Sequence, residues 1–347
     1  MVWYAVERVE DAIELTSDRL WPFEWSTWWR FALLMFFVGG GGGAVTNVFT
    51  QGMPDPGVSE PSGSLGVSPA VVLAVVAVVA LLAITLALLL AVIGAVMEFV
   101  FVDAIRSESV SIRAWFREHL WSGAQLFVFR FGVGLLAAGV GLVFALGLAV
   151  VIGVTALGVA QSELIALGVV LGLIYLVIAV PLYILVAIAS GIVQGFTTNF
   201  AVPIMMTDDA NIVAAWISLG RLVRAEWKQL LLYVVVMVLI GIGIAILEFI
   251  LLAAGAIVVA IPFGLLATPF AALAVWGNGS LGAVAIGVLV VLGVLFVIGV
   301  VIVGLFVTVP LVTFKRTFAL LVLGDLDEHF DVFEGDRPAI ERESPAE

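Results

Sequence analysis

The feature that most constrains the fold of this chain is a set of long stretches without a charged residue. The longest cover residues 61–97, 131–162, 164–207 and 249–314, with a further one at 229–247. A helix needs about 20 apolar residues to cross the hydrocarbon core of a bilayer. With 63% hydrophobic and 12% charged residues, the chain is also more apolar than a soluble domain, which is about half apolar and a quarter charged. The pattern predicts an all-α, polytopic membrane protein.

The positive charges predict how the chain crosses the membrane. All 14 Lys and Arg residues lie in four segments, at 8–30, 106–130, 221–228 and 315–342. The linkers that contain no cation are at about 50–68, 157–163 and 261–280. Short loops rich in Lys and Arg stay in the cytoplasm. We therefore expect all four segments and both termini on the inner side of the cell membrane.

An even number of crossings between cationic segments makes six spans the economical solution. The expected spans are about 29–49, 69–101, 124–156, 164–201, 229–260 and 281–312. Residues 164–207 are long enough for two spans, but one helix bent at Pro181 keeps Arg221 inside. The stretch 261–280, which is punctuated by prolines and glycines, is interpreted as a re-entrant or interfacial turn.

The cationic segments themselves are expected to form amphipathic helices at the inner membrane surface. Apolar residues recur at helical spacing in the N-terminal segment: Val2, Val6, Val9, Ile13 and Leu20. The corresponding stripe in 209–228 consists of Ile212, Trp216, Leu219, Val223 and Trp227. Segment 111–121 behaves similarly. Packing of these helices against the protein's own cytoplasmic ends is the alternative, and one helix can do both.

Tryptophan and arginine provide the candidate contacts with lipid or with a partner protein. Nine of the ten tryptophans lie in or beside the cationic segments, and tryptophan anchors proteins at the headgroup level. The candidate interfacial residues are Trp115, Arg117, Trp216, Arg221, Arg224, Trp227 and Lys228.

Two segments align without gaps and indicate an internal repeat. The segment "FVFVDAIRSESVSIRAW" at 99–115 pairs with "FAVPIMMTDDANIVAAW" at 200–216. The repeating unit would be an interfacial helix followed by a transmembrane hairpin.

The segment "VPIMMTDDANIVAAWISLGRLVRAEWKQLLLYV" resembles a stretch of haloarchaeal multi-pass membrane proteins of unknown function. The opening "WYAVERVEDAIELTSDRLWPFEWSTWWRFALLMFFVGG" and the later "VPLVTFKRTFALLVLG" resemble the same family. The spacing of Pro203, Asp208, Trp216 and Trp227 is more distantly similar to the membrane domain fused to some glycerophosphodiester phosphodiesterases. That domain has no catalytic residues of its own. The resemblance therefore implies a fold and a compartment, and no functional residues are transferred from it.

Charged residues inside the spans form a candidate intramembrane polar site, because a charge in a membrane is costly and suggests function. Glu248 lies 20 residues after Lys228 in an otherwise apolar run. It is interpreted either as a glutamate that reaches the outer interface or as a proton- or cation-linked site. Glu98 and Arg130 lie near the inner ends of their spans, where an ion pair between them is favoured over substrate binding.

Glycines in the spans favour close helix packing over ligand binding. The five glycines at 39–43 lack the Lys-Ser/Thr pair of a phosphate loop. They are interpreted as a packing surface or helix end in the first span, with a functional helix break as the alternative. Two small-residue motifs, Gly168-x-x-x-Gly172 and Gly191-x-x-x-Gly195, predict further close packing.

No sequence pattern indicates catalysis, a metal or a cofactor. The chain has no cysteine and two histidines, and neither histidine has metal-ligand spacing. A net charge of −12 argues against nucleic acid and, with scarce lysine, suggests adaptation to high salt. No pattern indicates an oligomeric state.

We therefore expect a non-catalytic integral membrane protein that organises the inner leaflet by binding lipid or a membrane or cytoplasmic protein. A single membrane domain would cover 1–323, and an acidic cytoplasmic tail at 324–347 would be disordered. The alternative is a secondary transporter or channel that uses Glu248.

Overall fold

The computed structural model describes residues 4–40, 69–107, 111–160, 162–276 and 283–333. Within these ranges the chain is helical apart from short connections, and no strand occurs. The all-α prediction is thus confirmed for the described part of the chain.

The helices are long in the apolar regions and short in the cationic segments. In chain order they are α1 (Tyr4–Leu20), α2 (Trp25–Met35), α3 (Pro69–Arg106), α4 (Ile112–Glu118), α5 (Leu120–Ala160), α6 (Ser162–Ile174), α7 (Val180–Phe196), α8 (Val202–Thr207), α9 (Ile212–Ala225), α10 (Trp227–Trp276) and α11 (Ala283–Leu326). Single π-helical turns continue α2 (Phe36–Gly40) and connect α6 to α7 (Tyr175–Ala179) and α7 to α8 (Thr197–Ala201). A 3₁₀ turn, Glu328–Phe330, follows α11.

Five helical segments in the described residues are long and apolar enough to cross a membrane. They are Leu73–Arg106, Leu120–Ala156, Ala166–Thr207, Trp227–Phe270 and Val284–Leu326, and they correspond to the last five predicted spans. For the first predicted span, 29–49, the structure describes helix as far as Gly40. The remainder, including three of the five glycines at 39–43, lies outside the described residues, so the sixth span stays a prediction.

The middle portions of these segments expose apolar side chains. Leu82, Val143, Val177 and Leu265 are each between 65% and 71% exposed. A contiguous apolar surface of this extent is exceptional on a soluble protein. In lipid the same surface is favourable, since each helix satisfies its own backbone hydrogen bonds.

The buried side chains lie mainly toward helix ends. Phe99 and Phe101 near the end of α3, and Phe318 and Leu321 near the end of α11, are at most 1% exposed. The 50-residue helix α10 is about 75 Å long at about 1.5 Å per residue, whereas the hydrocarbon core is about 30 Å thick. Such helices extend well beyond the lipid-facing region, which leaves their ends available for a protein core.

The chain divides into two compact units. The first unit comprises Met1–His119 with Arg221–Glu347, and the second comprises Leu120–Gly220. In the first unit, α10 and α11 form a hairpin; α1 packs against both, and α2 packs against α11. In the second unit, α5 packs along α6 and α7.

The predicted turn at 261–280 is helical as far as the structure describes it. Helix α10 continues through Pro262 and Pro269 to Trp276, and residues 277–280 lie outside the described residues. Each proline removes one helical hydrogen bond, but packing against α11 persists beyond the first proline, where the Phe263 and Phe296 rings are 6.2 Å apart. A proline in an apolar helix that remains packed on a neighbour need not end it. Residues 261–276 are therefore part of a helix and form no turn.

Helix α1 packs with a face that only partly overlaps the predicted apolar stripe. Leu20 of that stripe is buried, but Val6 and Ile13 are 58% and 57% exposed, while Asp11, Ala12 and Thr16 are buried. The Thr16 hydroxyl donates to the Ala12 carbonyl at 2.6 Å, so the small buried face is satisfied within the helix. The ion pairs described below hold this face against the protein.

Candidate functional site

A buried ion pair in the first unit joins α3 to α11. The carboxylate of Glu98 contacts the guanidinium of Arg316, and their side chains are 4% and 5% exposed. The Arg316 guanidinium carbon also lies 6.0 Å from the centroid of the Phe101 ring. Glu98 was a predicted site residue, but Arg316 was missed because it lies in a cationic segment beside Lys315. The predicted pair of Glu98 with Arg130 would join the two units and stays a prediction.

The C-terminal end of α3 is held by two further polar contacts. The Arg19 guanidinium donates to the carbonyl oxygens of Ala104, Ile105 and Ser107. These are carbonyls that a helix end leaves without a partner, and they form the negative end of the helix dipole. Arg19 of α1 therefore ties the first helix to the end of α3.

The second contact at this helix end involves a histidine. His119 Nε2 lies 2.7 Å from an Asp103 carboxylate oxygen, and the His119 ring stacks on Phe99 with centroids 5.5 Å apart. Because His119 directly precedes α5, this contact fixes where the chain leaves the first unit. No local sequence pattern indicates this contact, since the two residues are 16 positions apart across a helix break.

A third ion-pair group attaches α1 to the end of α11. The Arg8 guanidinium donates to both Asp325 carboxylate oxygens, at 2.6 and 3.0 Å, and to one Asp11 oxygen at 2.6 Å. The hydrogen bond that Arg8 donates to Asp325 raises the Arg8 pKa above its already high ordinary value, and desolvation opposes this only partly. A raised arginine pKa means that the cation and its stabilising effect persist at every pH below the arginine range.

A cavity of about 260 Å³ lies among these contacts in the first unit. Its lining residues come from α1, the end of α3, α11 and the segment after α11: Leu15, Asp18, Arg19, Ile105, Arg106, Thr317 and Phe333. Its lining includes both acidic and basic side chains, and one of them, Arg19, already donates hydrogen bonds to carbonyls at the end of α3. The cavity has no nucleophile–base pair.

A second, larger cleft in the first unit is lined mainly by cations. It measures about 560 Å³ and is formed by one residue of α2 together with the start of α4: Arg30, Ser111, Ile112, Arg113, Ala114 and Arg117. No carboxylate is among the described residues that line it. We call this feature the arginine cleft. Arg117 was a predicted contact, whereas Arg30 and Arg113 were not selected.

Helix α2, which supplies Arg30 to the cleft, also carries three tryptophans. Trp25 and Trp29 are 64% and 48% exposed, and Trp25 and Trp28 stack on the Phe306 ring of α11 at 5.4 and 6.2 Å. The Trp28 indole also donates to the Leu20 carbonyl at 2.9 Å. These tryptophans thus pack against α11 through Phe306 and still expose part of their indole rings to the surroundings of the protein.

The three predicted cations on α9 and α10, and one tryptophan beside them, are accessible to solvent. Arg221, Arg224, Trp227 and Lys228 are exposed, and the Lys228 ammonium lies 5.7 Å from the Trp227 ring centroid. Among the predicted tryptophans, Trp115 is less accessible, because it is half-buried.

Trp216, in the second unit, is half-buried as well. Its ring lies 5.8 Å from that of Phe129. In the same unit, Arg130 is half-buried and donates to the Thr198 hydroxyl at 2.5 Å. Both residues therefore contribute at least in part to packing within the second unit.

Glu248 lies in the apolar part of α10 and is half-buried. Within the described residues it forms no hydrogen bond or ion pair. Neither the 260 Å³ cavity nor the arginine cleft includes it. Within the first unit, the structure therefore brings none of the other predicted site residues to Glu248.

The described residues contain no group of three or more His, Cys, Asp or Glu side chains that could hold a metal ion. The described fold is all-helical, and its five helices long and apolar enough to cross a membrane suggest a membrane protein. The chain belongs to a family of unknown function (DUF7544), which it matches over residues 3–333. No curated protein and no solved structure matches it. The haloarchaeal and phosphodiesterase resemblances stay predictions.

Proposed function

We propose that this protein is a non-catalytic integral membrane protein that organises the inner leaflet by binding anionic lipid through its Trp- and Arg-rich helices. It crosses the cell membrane six times, with both termini in the cytoplasm and α1, α4 and α9 at the inner surface. One membrane domain covers 1–323, followed by the acidic tail at 324–347. A partner protein could occupy the same surface.

The observation that carries the proposal is a contrast between two sets of cations in the first unit. Arg8, Arg19 and Arg316 face the protein interior and contact carboxylates or carbonyl oxygens. Arg117 and Arg224 are exposed. The protein therefore uses one set for its own packing and presents the other to its surroundings. Each exposed cation near an anionic leaflet adds about 1 kcal/mol of attraction.

Exposed indole rings support the same surface. Trp21, Trp25 and Trp227 in the first unit are 69%, 64% and 56% exposed. An indole has a large apolar face and one N–H donor, so it is most stable where hydrocarbon meets headgroups. Arginines beside such rings would lie at the depth of lipid phosphates.

The order of charges along the chain supports the inner-side topology. Cations follow α3, precede α5, end α9, begin α10 and lie near the end of α11. A path that alternates direction brings these positions to one side, and cation-rich short loops stay in the cytoplasm. The same alternation requires a first span, which the apolar part of α2 would begin.

Transport through Glu248 is the less supported function. A conduction path needs polar groups that converge on the charged residue, and Glu248 has no such group among its described partners. An enzyme is similarly disfavoured, because catalysis needs a nucleophile or base with an orienting partner in a cleft. The two polar cavities offer arginines and aspartate without that arrangement.

The proposed function is tested by lipid retention. We expect the full chain, purified from membranes that contain phosphatidylglycerol and phosphatidylcholine, to retain phosphatidylglycerol in several-fold excess over its share of the membrane. Replacing Arg221, Arg224 and Lys228 together by Gln should lower that excess, by about fivefold per cation at most. Quantitative mass spectrometry of the co-purified lipids gives both values.

Screening provides a second check on the same preference. The excess of retained phosphatidylglycerol should decline as the salt concentration rises. Salt screens the attraction between exposed cations and anionic headgroups, because the Debye length shrinks from about 10 Å at 0.1 M to about 3 Å at 1 M. Equal retention of both lipids at low salt would contradict the proposed function.

A further inference from the structure

The arginine cleft has the charge of an anion-binding site. Six described residues line it; three of them are arginines and none of the six is acidic, in a chain with 26 acidic and 14 basic residues. Like charges gathered around one cleft repel each other, and a bound anion would relieve this repulsion. Within the described residues, neither Arg113 nor Arg117 forms an ion pair.

The backbone positions these side chains for joint binding. Arg113 and Arg117 are four residues apart on α4, and residues at this spacing lie on one face of a helix. Arg30 comes from α2 and closes the cleft from another direction, and Ser111 adds a hydroxyl beside α4. All three arginines are exposed, so a ligand can reach them without displacing the protein core.

The residue type indicates the chemistry of the ligand. A guanidinium presents a rigid planar fork of donors that matches the oxygens of phosphate and carboxylate groups with two parallel hydrogen bonds. Three such groups around about 560 Å³ fall within the range of about 300–1,000 Å³ that is usual for small-molecule sites. That volume can hold a phosphate with an attached polar group.

The position of the cleft favours a lipid as the source of that phosphate. Arg30 is one residue after Trp29 and belongs to the same helix as Trp25, whose ring is exposed. Indole rings of this kind lie at the headgroup level. A phosphate bound by Arg30 would then lie at the depth where lipid phosphates are found.

We infer that the arginine cleft formed by Arg30, Arg113 and Arg117 binds the phosphate group of an anionic membrane lipid. This inference rests on the proposed function and assigns its lipid preference to one site. Ser111 donates its hydroxyl to the same group, and the rest of the headgroup occupies the remaining volume of the cleft. The acyl chains extend toward the apolar surface of α2.

The test is 1:1 binding in nonionic detergent, where no charged bilayer surface contributes. Native mass spectrometry measures the affinity of the full chain for dihexanoyl phosphatidylglycerol, with dihexanoyl phosphatidylcholine and inorganic phosphate as comparison ligands. We expect one tight site for phosphatidylglycerol, and at least tenfold weaker binding of both other ligands.

Matched variants assign the site. Arg113→Gln and Arg117→Gln should each weaken phosphatidylglycerol binding about tenfold, because each removes a charge-assisted, two-bonded contact. Arg113→Lys should restore part of the affinity, since it keeps the charge and loses the fork. Arg106→Gln is the control: it removes an exposed arginine that lies outside the cleft and should change affinity less than twofold. Melting temperatures check that all variants fold.

Several results would overturn the inference. An equal loss in Arg106→Gln would mean general charge attraction without a site. Inorganic phosphate that binds as tightly as the lipid would assign the cleft to a soluble ligand. Absence of tight 1:1 binding, with lipid retention from membranes intact, would refute the cleft and leave the proposed function standing. If neither tight 1:1 binding in detergent nor preferential lipid retention from membranes is observed, both proposals are refuted.

Discussion

At the scale of single residues, two glutamates in apolar helices have opposite surroundings. Glu98 is 4% exposed and contacts Arg316, whereas Glu248 is half-buried and has no ion-pair partner within the described residues. A buried charge is tolerated only when paired and hydrogen-bonded. The sequence predicted an ion pair for Glu98 but did not indicate Arg316, because a partner 218 positions away leaves no local pattern.

Loss of the Glu98 charge should therefore destabilise the protein. We expect Glu98→Gln to lower the free energy of unfolding by about 3–5 kcal/mol, since Arg316 would remain buried without its counter-charge. Replacing both partners, as in Glu98→Leu with Arg316→Met, should recover most of that loss, because the thioether can still pack against Phe101. Unfolding in mixed micelles measures each change.

Glu248→Gln is the matched control for the same chemical change. Because Glu248 has no described charge partner, its replacement should alter the unfolding free energy by less than about 1 kcal/mol. Equal destabilisation by the two variants would show that the Glu98–Arg316 contact has no special role.

At the scale of helices, a glycine matters most where a neighbouring backbone approaches it closely. A Cβ on Gly94 of α3 would lie 2.8 Å from the Phe37 carbonyl oxygen, and one on Gly168 would lie 3.2 Å from the Thr155 Cα atom. In contrast, Gly191 and Gly195 have no described heavy atom within 4 Å of such a Cβ. The predicted packing role holds for Gly168 and is wrong, within the described residues, for Gly191 and Gly195. Spacing alone does not reveal which helix face has a neighbour.

The contact at Gly94 gives an element-scale prediction. Gly94→Ala should lower the unfolding free energy by about 1–3 kcal/mol, because the added methyl would push the π-helical turn after α2 away from α3. Gly243→Ala, in α10, is the control, since a Cβ there meets no described atom within 4 Å. It should be neutral or stabilising by up to about 1 kcal/mol. Identical melting temperatures for the two variants would contradict the close approach.

The aligned segments 99–115 and 200–216 have similar local structure. Phe99 and Phe200 are both fully buried, and Trp115 and Trp216 are both half-buried. In each segment a helix ends and a new one begins before the tryptophan. These similarities support the predicted internal repeat. In each copy, a long helix ends, a short break follows, and a new helix begins.

At the scale of the whole molecule, the six-span topology can be tested directly because the chain has no cysteine. We expect single cysteines at Glu14, Glu118 and Arg224 to react with an impermeant thiol reagent only after the cells are permeabilised. A cysteine at Val284, at the start of α11, should react in intact cells. Each position is exposed in the structure, and the cysteine-free parent is the control. Labelling of Arg224→Cys in intact cells would refute the common inner side.

The same labelling decides between the two functions considered for Glu248. A packed or interfacial residue predicts no labelling of Glu248→Cys, or labelling from the outside only. Labelling from both sides, with Ile244→Cys and Leu252→Cys silent, would indicate a water-filled path and would favour transport over the lipid-binding proposal.

The sequence by itself determined the helical class, the positions of the last five apolar segments and the cationic segments between them. These properties depend on local composition, because a helix satisfies its backbone within the segment and hydropathy accumulates along it. The arginine cleft was only partly foreseen: Arg117 was selected for its place on an amphipathic helix, but Arg30 and Arg113 were not.

Only the tertiary structure decided which charges are committed to the fold and which remain available. It paired Glu98 with Arg316 and Arg8 with Asp325. It also turned the acidic and small face of α1 inward and continued α10 through Pro262. Each of these outcomes depends on which residue, distant along the chain, lies opposite a helix face, and that is set by packing rather than by any local pattern.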